Sequence, residues 1–363
     1  MLTFIAAVLL VPALTFWMRV QPWPPLWCRH HRCWKALNFC EPPSPQALQE
    51  GLGVAQVVYA TDPGAFEGLL SSLLSLARHL EPGSRCMVHL VVPGGEAMEE
   101  ARQLVDCFWQ ELGDDFGAGL EVQLHEFRPV GLDVGGLLRR HPESHKVGVY
   151  GETCYARFYL HEYLPQASRA VWLDPDTILE ADVTRLYRTP MAHALAAVPE
   201  GECCFEHAQR MAELMGANAS AHSLLRELNP SDWFNSGVLV LDLDRWRGGG
   251  ITHELERLAA ATELFYPDQL ALNLMFGEQY DHLDWRWNVH GMGGPGEYRY
   301  PQRCVDRAWL YHWSGGRKPW RGSPLGTHPN DRLFQPYLPR RPCAARTSGA
   351  PRKAEDAIDA CAE

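Results

Sequence analysis

The stretch VWLDPDTIL, residues 171–179, decides how the rest of the chain is read. The apolar run Ala170 to Leu173 leads straight into Asp174 and Asp176, with only Pro175 between them. A residue before proline is pushed toward extended geometry, which suits Asp174 as the last strand residue. Pro175 has no N–H and suits a point where a strand ladder stops. Two carboxylates this close repel unless positive charge lies between them. A divalent cation with oxygen ligands is the natural occupant. In open α/β sheets, ligands bind beyond the carboxyl ends of strands, where this pair would stand.

A bare D-x-D pair is weak evidence by itself. A second one, Asp242-Leu243-Asp244, is read as structural. Corroboration for the first comes from the C-terminal segment LYHWSGGRKPW. It contains His312, a candidate third metal ligand. Six residues later, past a Ser-Gly-Gly turn, stands Lys318. This spacing would set an imidazole on a metal and an ammonium on a phosphate.

Working outward, VAQVVYATD (54–62) reads as a buried strand and FEGLLSSLLSLARHL (66–80) as a helix of apolar period. MVHLVVP, EEARQLVDCFWQEL and LEVQLHEF continue as strand, helix and strand. ETCYARFYLHEYL (152–164) is predicted as a helix stopped by Pro165. The strands RAVWLD and GVLVLDL and the helices THELERLAAATEL and DQLALNLMF follow. Asp268 is expected as the N-cap of the last helix. This alternation predicts an α/β fold with a largely parallel sheet. Residues 201–230 read as a variable loop region with a helix near AHSLLREL. The tryptophans 285, 287, 309, 313 and 320 are expected in the core.

Composition narrows the function. The chain has 363 residues, 46% of them apolar and 21% charged, which predicts a packed globular core. A net charge of −11 excludes nucleic-acid binding along its length. Residues 1–18 are apolar up to Trp17 and are expected to be a signal peptide or signal anchor. Arg19, Arg29, Arg32 and Lys35 follow that run, and the positive-inside rule alone would leave the body in the cytosol. Residues 19–53 read as a stem or linker rich in Pro, Trp and Cys. Cys28 to Cys33 fits no structural zinc spacing. The catalytic domain is placed at 54–339, and the polar tail 340–363 is expected to be disordered. There are eleven cysteines, and Asn218-Ala219-Ser220 is a sequon that would be glycosylated in a secretory lumen.

Six blocks then occur in a recognisable order. They are VVYATD, YARFYL, WLDPDTIL, FNSGVLVLDLDRW, YPDQLALN and HWSGGRKPW. Together they resemble glycosyltransferase family 8, the retaining sugar transferases of GT-A fold, over roughly residues 54–322. WNVHGMG and the LYHWSGG ending suggest the glycosyltransferase 8 domain-containing and galacturonosyltransferase-like branch. The resemblance implies a single Rossmann-like α/β domain whose central sheet is mixed, mainly parallel and flanked by helices. It implies Mn²⁺ on Asp174, Asp176 and His312, bound with the diphosphate of a UDP-sugar. Asp174 would also lie near the donor ribose or sugar. Lys318 would bind a phosphate, and Gly315 would let the backbone approach it. Ala60, Thr61 and Asp62 would line the uridine pocket. Arg157, Asn235, Asp268 and Gln269 would surround the donor sugar. Where family members carry an aromatic to stack on uracil, this chain has PGAF, which leaves Phe66 in that role or the stack absent. Glu200 lies near where an acidic sugar-contacting residue is often found.

The implied activity is metal-dependent transfer of a hexosyl, pentosyl or uronosyl group to a glycan, protein or lipid-linked acceptor. A double displacement would need a nucleophile, and the amide of Gln269 is a poor one, so departure and attack on one face is preferred. The implied location is a Golgi or other secretory-pathway membrane, with the catalytic domain in the lumen. The alternatives are an inactive nucleotide-sugar-binding relative and a metal-dependent phosphohydrolase. The second would usually bring more carboxylates or two metals.

Overall fold

The structure, a computed structural model, describes residues 47–113, 119–136, 151–200, 219–262, 267–293, 300, 302–321 and 329–340. The N-terminal apolar run, the stem, Cys28 to Cys33, Asn218 of the sequon and the tail beyond Arg340 lie outside the described residues.

In chain order the elements begin with β1 (Ala55–Ala60), α1 (Phe66–His79), β2 (Cys86–Val92), α2 (Glu96–Leu112) and β3 (Leu120–Glu126). A 3₁₀ helix (Glu152–Tyr159) runs into α3 (Leu160–Tyr163), then β4 (Arg169–Leu173), β5 (Thr177–Leu179), α4 (Val183–Tyr187) and β6 (Leu195–Pro199). After α5 (Ala219–Glu227) come β7 (Phe234–Asp242), α6 (Leu243–Gly248), α7 (Ile251–Thr262) and α8 (Pro267–Phe276). The series closes with β8 (Asp281–His282), α9 (Gln302–Val305) and β9 (Leu310–His312).

The central sheet has the order β3-β2-β1-β4-β7-β6-β8. Pairing is parallel from β3 to β4 and antiparallel on both sides of β7. Every strand except β7 therefore runs the same way, and the sheet is mixed but mainly parallel, as the α/β reading expects. Alternation along β1 sends Val57 and Tyr59 to one apolar layer and Val58 and Ala60 to the other. Both faces are covered, which explains why β1, β2 and β4 read as largely apolar runs rather than alternating ones. One layer holds α1, α2 and most of the C-terminal tryptophans. The other holds the 3₁₀ segment, α7 and α8.

Three features position the site. First, β1 lies between β2 and β4, so the strand order switches direction at the β1–β4 seam, the kind of switch point beyond whose strand ends α/β sheets bind ligands. Second, β7 is antiparallel to β4, with Leu173 opposite Val238. The amino end of β7, Asn235 to Gly237, therefore arrives at the carboxyl end of β4. Third, β5 pairs with β9, and Thr177 stands opposite His312. Buried serines of α1 hold β5 in place: Ser72 Oγ meets Thr177 Oγ1 at 3.1 Å, and Ser75 Oγ accepts from Leu179 N at 2.9 Å.

Several expectations are corrected. ETCYARFYL does not start as an α-helix: Glu152–Tyr159 is a 3₁₀ helix, and only Leu160–Tyr163 is α-helical. Thr153 to Tyr159 are all buried, so the segment has no solvent face of helical period. The tighter winding eclipses residues three apart, which brings the Cys154 carbonyl onto Arg157 Nε at 3.1 Å. The β4 ladder ends at Leu173, one residue early, although Asp174 N still donates to Gly237 O at 2.8 Å. Asp268 is the second residue of α8 rather than its cap. The strands β5, β6 and β9 were not read from sequence.

Candidate active site

The carboxylates of Asp174 and Asp176 and the imidazole of His312 each offer a ligand atom, all within 4.8 Å of one another. His312 Nε2 lies 3.2 Å from Asp176 Oδ1 and 3.8 Å from Asp174 Oδ2. Asp176 Oδ1 is buried and has no hydrogen-bond partner. A buried acceptor left unsatisfied is costly, and this one shares its space with an imidazole nitrogen and a second carboxylate. Hard oxygen donors with one imidazole suit a divalent cation such as Mg²⁺ or Mn²⁺, so the residues present fit a metal.

Lys318 reaches the same cluster from 142 residues away, placing Nζ 2.7 Å from Asp176 Oδ2 and 2.6 Å from the Trp313 carbonyl. Burial works to raise the Asp176 pKa, but the Lys318 ammonium and then His312 outweigh it and hold the carboxyl below the usual carboxylate range. The backbone delivers both groups. Trp313 N donates to Asp176 O at 2.9 Å, which locks β9 against the D-P-D turn.

Asp174 is matched by a second cation. Arg157 NH2 meets Asp174 Oδ1 at 3.1 Å, and Arg157 Nε meets Asp268 Oδ2 at 3.1 Å. Its NH1 donates to Ser236 O at 2.6 Å, and its guanidinium lies 4.3 Å from the Trp172 ring centre. Trp172 Nε1 also donates to Asp174 Oδ1 at 2.8 Å. Arg157 is thus a buried bridge and not a surface residue. Burial pushes the Asp268 carboxyl up, Arg157 pulls it down and Asp174 raises it again, for a net upward shift. Three carboxylates (Asp174, Asp176, Asp268) face two cations (Arg157, Lys318). One negative charge is left over, a further reason that a cation is welcome here.

Beyond the metal ligands, the amino end of β7 gathers the amides. Gln269 Oε1 accepts from Ser236 N at 3.0 Å and Ser236 Oγ at 3.3 Å, and Asn235 Nδ2 lies 3.5 Å away. Asn235 is buried within the strand, where its Oδ1 accepts from Gly237 N at 2.9 Å. Its Nδ2 donates to Glu200 Oε1 at 3.2 Å, and Glu200 also takes Trp233 Nε1 at 2.9 Å and faces His290 Nδ1 at 3.3 Å. Asn273 on α8 clamps Phe234, accepting from its N–H at 2.9 Å and donating to its carbonyl at 3.0 Å.

The expected uridine end is built at the close of β1. Ala60 and Thr61 are buried, and Asp62 accepts from Thr153 Oγ1 at 3.0 Å, which ties it to the segment that carries Arg157. A Cβ on Gly151 would overlap the Asp62 carboxylate. Phe66 is packed into the core and offers no open stacking face. Gly315 donates its N–H to Met292 O at 3.0 Å, which ties the loop after His312 to the segment after Asn288. The second pair behaves structurally, as expected: Asp242 caps α6, and Asp244 pairs with Arg247 at 2.8 Å. Asp242 is opposite Arg169, at the far end of the sheet from Asp174.

Sequence reasoning missed Gly237, Asn288, Trp172 and Asn273. Gly237 and Asn288 lie inside quoted blocks, FNSGV and WNVHG, but their partners are distant in the chain. Of the tryptophans, 285, 287 and 313 are buried in the core, and 309 and 320 pack against it.

Comparison with known proteins fits this geometry. The sequence profile of Glycosyl transferase family 8 matches residues 140–323, just over half of the chain. The chain belongs to glycosyltransferase family 8. Glycosyltransferase 8 domain-containing protein 1 of Bos taurus is 32% identical over 187 residues, 46% of this chain and 50% of that protein. The chain thus spans about half the length of such curated relatives. The probable galacturonosyltransferase-like 10 of Arabidopsis thaliana is 26% identical over 298 residues, 77% of this chain and 75% of that one. Among solved structures, the WbbM bifunctional glycosyltransferase superposes with a TM-score of 0.60 at 16% identity, over 82% of this chain and 51% of that one. The galactosyltransferase LgtC gives 0.54 at 18% identity, over 84% of this chain and all of LgtC. These glycosyltransferase neighbours establish the GT-A fold for this family 8 chain.

Proposed function

We propose that this chain is a retaining glycosyltransferase. It moves a hexosyl, pentosyl or uronosyl unit from a UDP-sugar to a glycan or glycoconjugate hydroxyl, with Mn²⁺ held by Asp174, Asp176 and His312. The observation that carries the reading is the meeting of these three ligand atoms within 4.8 Å, flanked by Lys318 on one carboxylate and Arg157 on the other. Family membership supports glycosyl transfer. The relative named galacturonosyltransferase-like and the LgtC structure with donor and acceptor sugar analogs support a sugar donor and a sugar acceptor.

When bound, the metal would act as a Lewis acid on the departing diphosphate. The chain's own groups do the remaining work. Lys318, fixed by the Trp313 carbonyl, aims a buried positive charge at the same place, where it counts most as negative charge develops. Asp268, oriented by Arg157, and Asn235 present acceptor and donor groups to the donor sugar. Gln269 has its carbonyl oxygen engaged by Ser236. That oxygen is therefore a poor nucleophile, which favours departure and attack on the same face over a double displacement.

We place the protein in a Golgi or other secretory-pathway membrane with this domain in the lumen. Cys107 and Cys304 each take part in a disulfide, which suits an oxidising compartment. The proposed signal peptide or anchor is the apolar run in residues 1–18, and no helix among the described residues is long and apolar enough to cross a membrane.

The test is UDP release by the full chain, offered a panel of UDP-sugars with and without Mn²⁺ beside Asp176→Asn. Release with one sugar that needs Mn²⁺ and is lost in the variant supports transfer and names the donor. Binding of UDP without turnover of any sugar, in the presence of glycan acceptors, points to a binding-only relative. Metal-dependent hydrolysis without transfer points to a phosphohydrolase.

A further inference from the structure

A chain of hydrogen bonds runs from a backbone amide to the back of the histidine ligand, and its polarity can be read without ambiguity. Gly237 N donates to Asn235 Oδ1 at 2.9 Å. A backbone N–H can only donate, so that atom of Asn235 is the oxygen. The same oxygen lies 2.9 Å from the Asn288 side chain, which must therefore present its NH₂. Asn288 then has only its Oδ1 left for the other direction, and this atom lies 3.0 Å from His312 Nδ1. An oxygen there accepts, so Nδ1 carries the hydrogen, and in the neutral imidazole that binds a metal the lone pair falls on Nε2. Nε2 is the nitrogen that faces Asp174 and Asp176.

We propose that Asn288 is the positioning residue that holds His312 in its ligating tautomer and orientation, with the register supplied by the Gly237 N–H through Asn235. Asn288 is fully buried, and Asn235 and His312 are buried, so solvent competes little for these bonds. Asn288 also sits on the WNVHG segment that brackets β9, since Val289 N donates to Leu310 O and His312 N donates to Val289 O, both at 3.0 Å. Backbone and side chain thus both tie this segment to the histidine. The same glycine admits the ring: a Cβ on Gly237 would overlap the His312 imidazole and come 2.8 Å from Asp174 Oδ2. One side of Asn235 touches Glu200 and Gln269 while the other touches Asn288, so the proposed sugar side and metal side share this amide. The inference rests on the metal-centre reading. It adds that groups outside the ligand set decide which nitrogen of His312 is presented.

The experiment uses the full chain and two readouts. The first is Mn²⁺ affinity by electron paramagnetic resonance for wild type, Asn288→Ala, Asn288→Asp and His312→Ala. Outer partners of ligating histidines typically matter by about 10–100-fold in metal affinity. Asn288→Ala is expected to lose that much, whereas Asn288→Asp keeps an acceptor for Nδ1–H but gives up the donor to Asn235 Oδ1, and is expected to fall between Asn288→Ala and wild type. The second readout is the ¹⁵N signal of His312 in the metal-free chain, assigned by its absence in His312→Ala. It is expected to show a protonated, pyrrole-type Nδ1 in wild type and in Asn288→Asp. An unprotonated Nδ1 in wild type would overturn the inference whatever the metal does. So would wild-type Mn²⁺ affinity in Asn288→Ala when His312→Ala has lost binding, and there the metal-centre reading survives. Wild-type affinity in His312→Ala removes the metal-centre reading itself, and with it the role given to Asn288.

Discussion

Arg157 illustrates how much one buried side chain can carry. It pairs with Asp174 and Asp268, takes the Ser236 carbonyl and lies over Trp172. Removing one partner of a buried ion pair leaves the other charge stranded, at about 3–5 kcal/mol. Arg157→Met is therefore expected to lower stability by about that amount in urea denaturation. Arg157→Met with Asp268→Asn should recover part of the loss, because one stranded charge is gone; a strictly additive double variant would deny the coupling. Gly237→Ala is expected to behave differently. The new methyl meets the buried His312 ring, not the backbone of the sheet, so Mn²⁺ affinity should fall more than tenfold, and the overlap should also lower stability by about 1–3 kcal/mol. Titration followed by thermal unfolding on the same samples separates the two effects. The D-P-D pair, His312 and Lys318 were legible as residues because each has a chemical type suited to metal or phosphate. Gly237 and Asn288 were not, because glycine and asparagine have many local uses and only their neighbours reveal which applies.

At the scale of elements, two contacts make testable claims. Asn273 of α8 satisfies both backbone groups of Phe234 where β7 enters the site. Asn273→Ala leaves a buried N–H and C=O without partners, at about 1–3 kcal/mol each. A drop in denaturation midpoint without a change in slope would match this; no drop would mean the clamp contributes nothing. Between β2 and β3, His89 Nδ1 lies 2.9 Å from His125 Nε2, and His89 Nε2 lies 2.9 Å from Gln56 Oε1. Burial, and then His125, push the His89 pKa down from 6.5 to about 3. Burial lowers His125 as well. The unfolded chain thus binds protons that the folded chain refuses between pH 6.5 and about 3. The stability is present above pH 6.5 and lost as pH falls through that window. Melting temperature should fall on acidification through it, and His89→Gln should flatten the decline. The elements themselves were mostly legible, since β1, β2 and β7 are largely continuous apolar runs, β3 alternates, and α1 and α2 follow a 3.6-residue apolar period. The 3₁₀ segment was not, because a stretch buried on all sides has no periodicity to read, and β5, β6 and β9 are too short to show one.

At the scale of the whole molecule, the fold is expected to stand without a metal. Two apolar layers cover the sheet, and Lys318 and Arg157 already answer the acidic residues. Chelation is expected to leave the fold intact, as read by circular dichroism. Mn²⁺ with UDP at about 100 times the dissociation constant should add about 2.7 kcal/mol of apparent stability, through binding to the folded state alone. Asp176→Asn should abolish that shift, and an undiminished shift in the variant would place the ligand elsewhere. The sequence by itself determined the α/β class, the strand that ends in D-P-D, the family resemblance and the chemical types of the ligands. These are written in local patterns of polarity and in short motifs. Only the tertiary structure decided that β7 runs against its neighbours, that Asp176 and Lys318 meet across 142 residues, and that a glycine amide selects a histidine nitrogen through two asparagines. The physical reason is that hydrogen-bond polarity and close approach belong to pairs of groups, and those pairs exist only once distant segments have packed together.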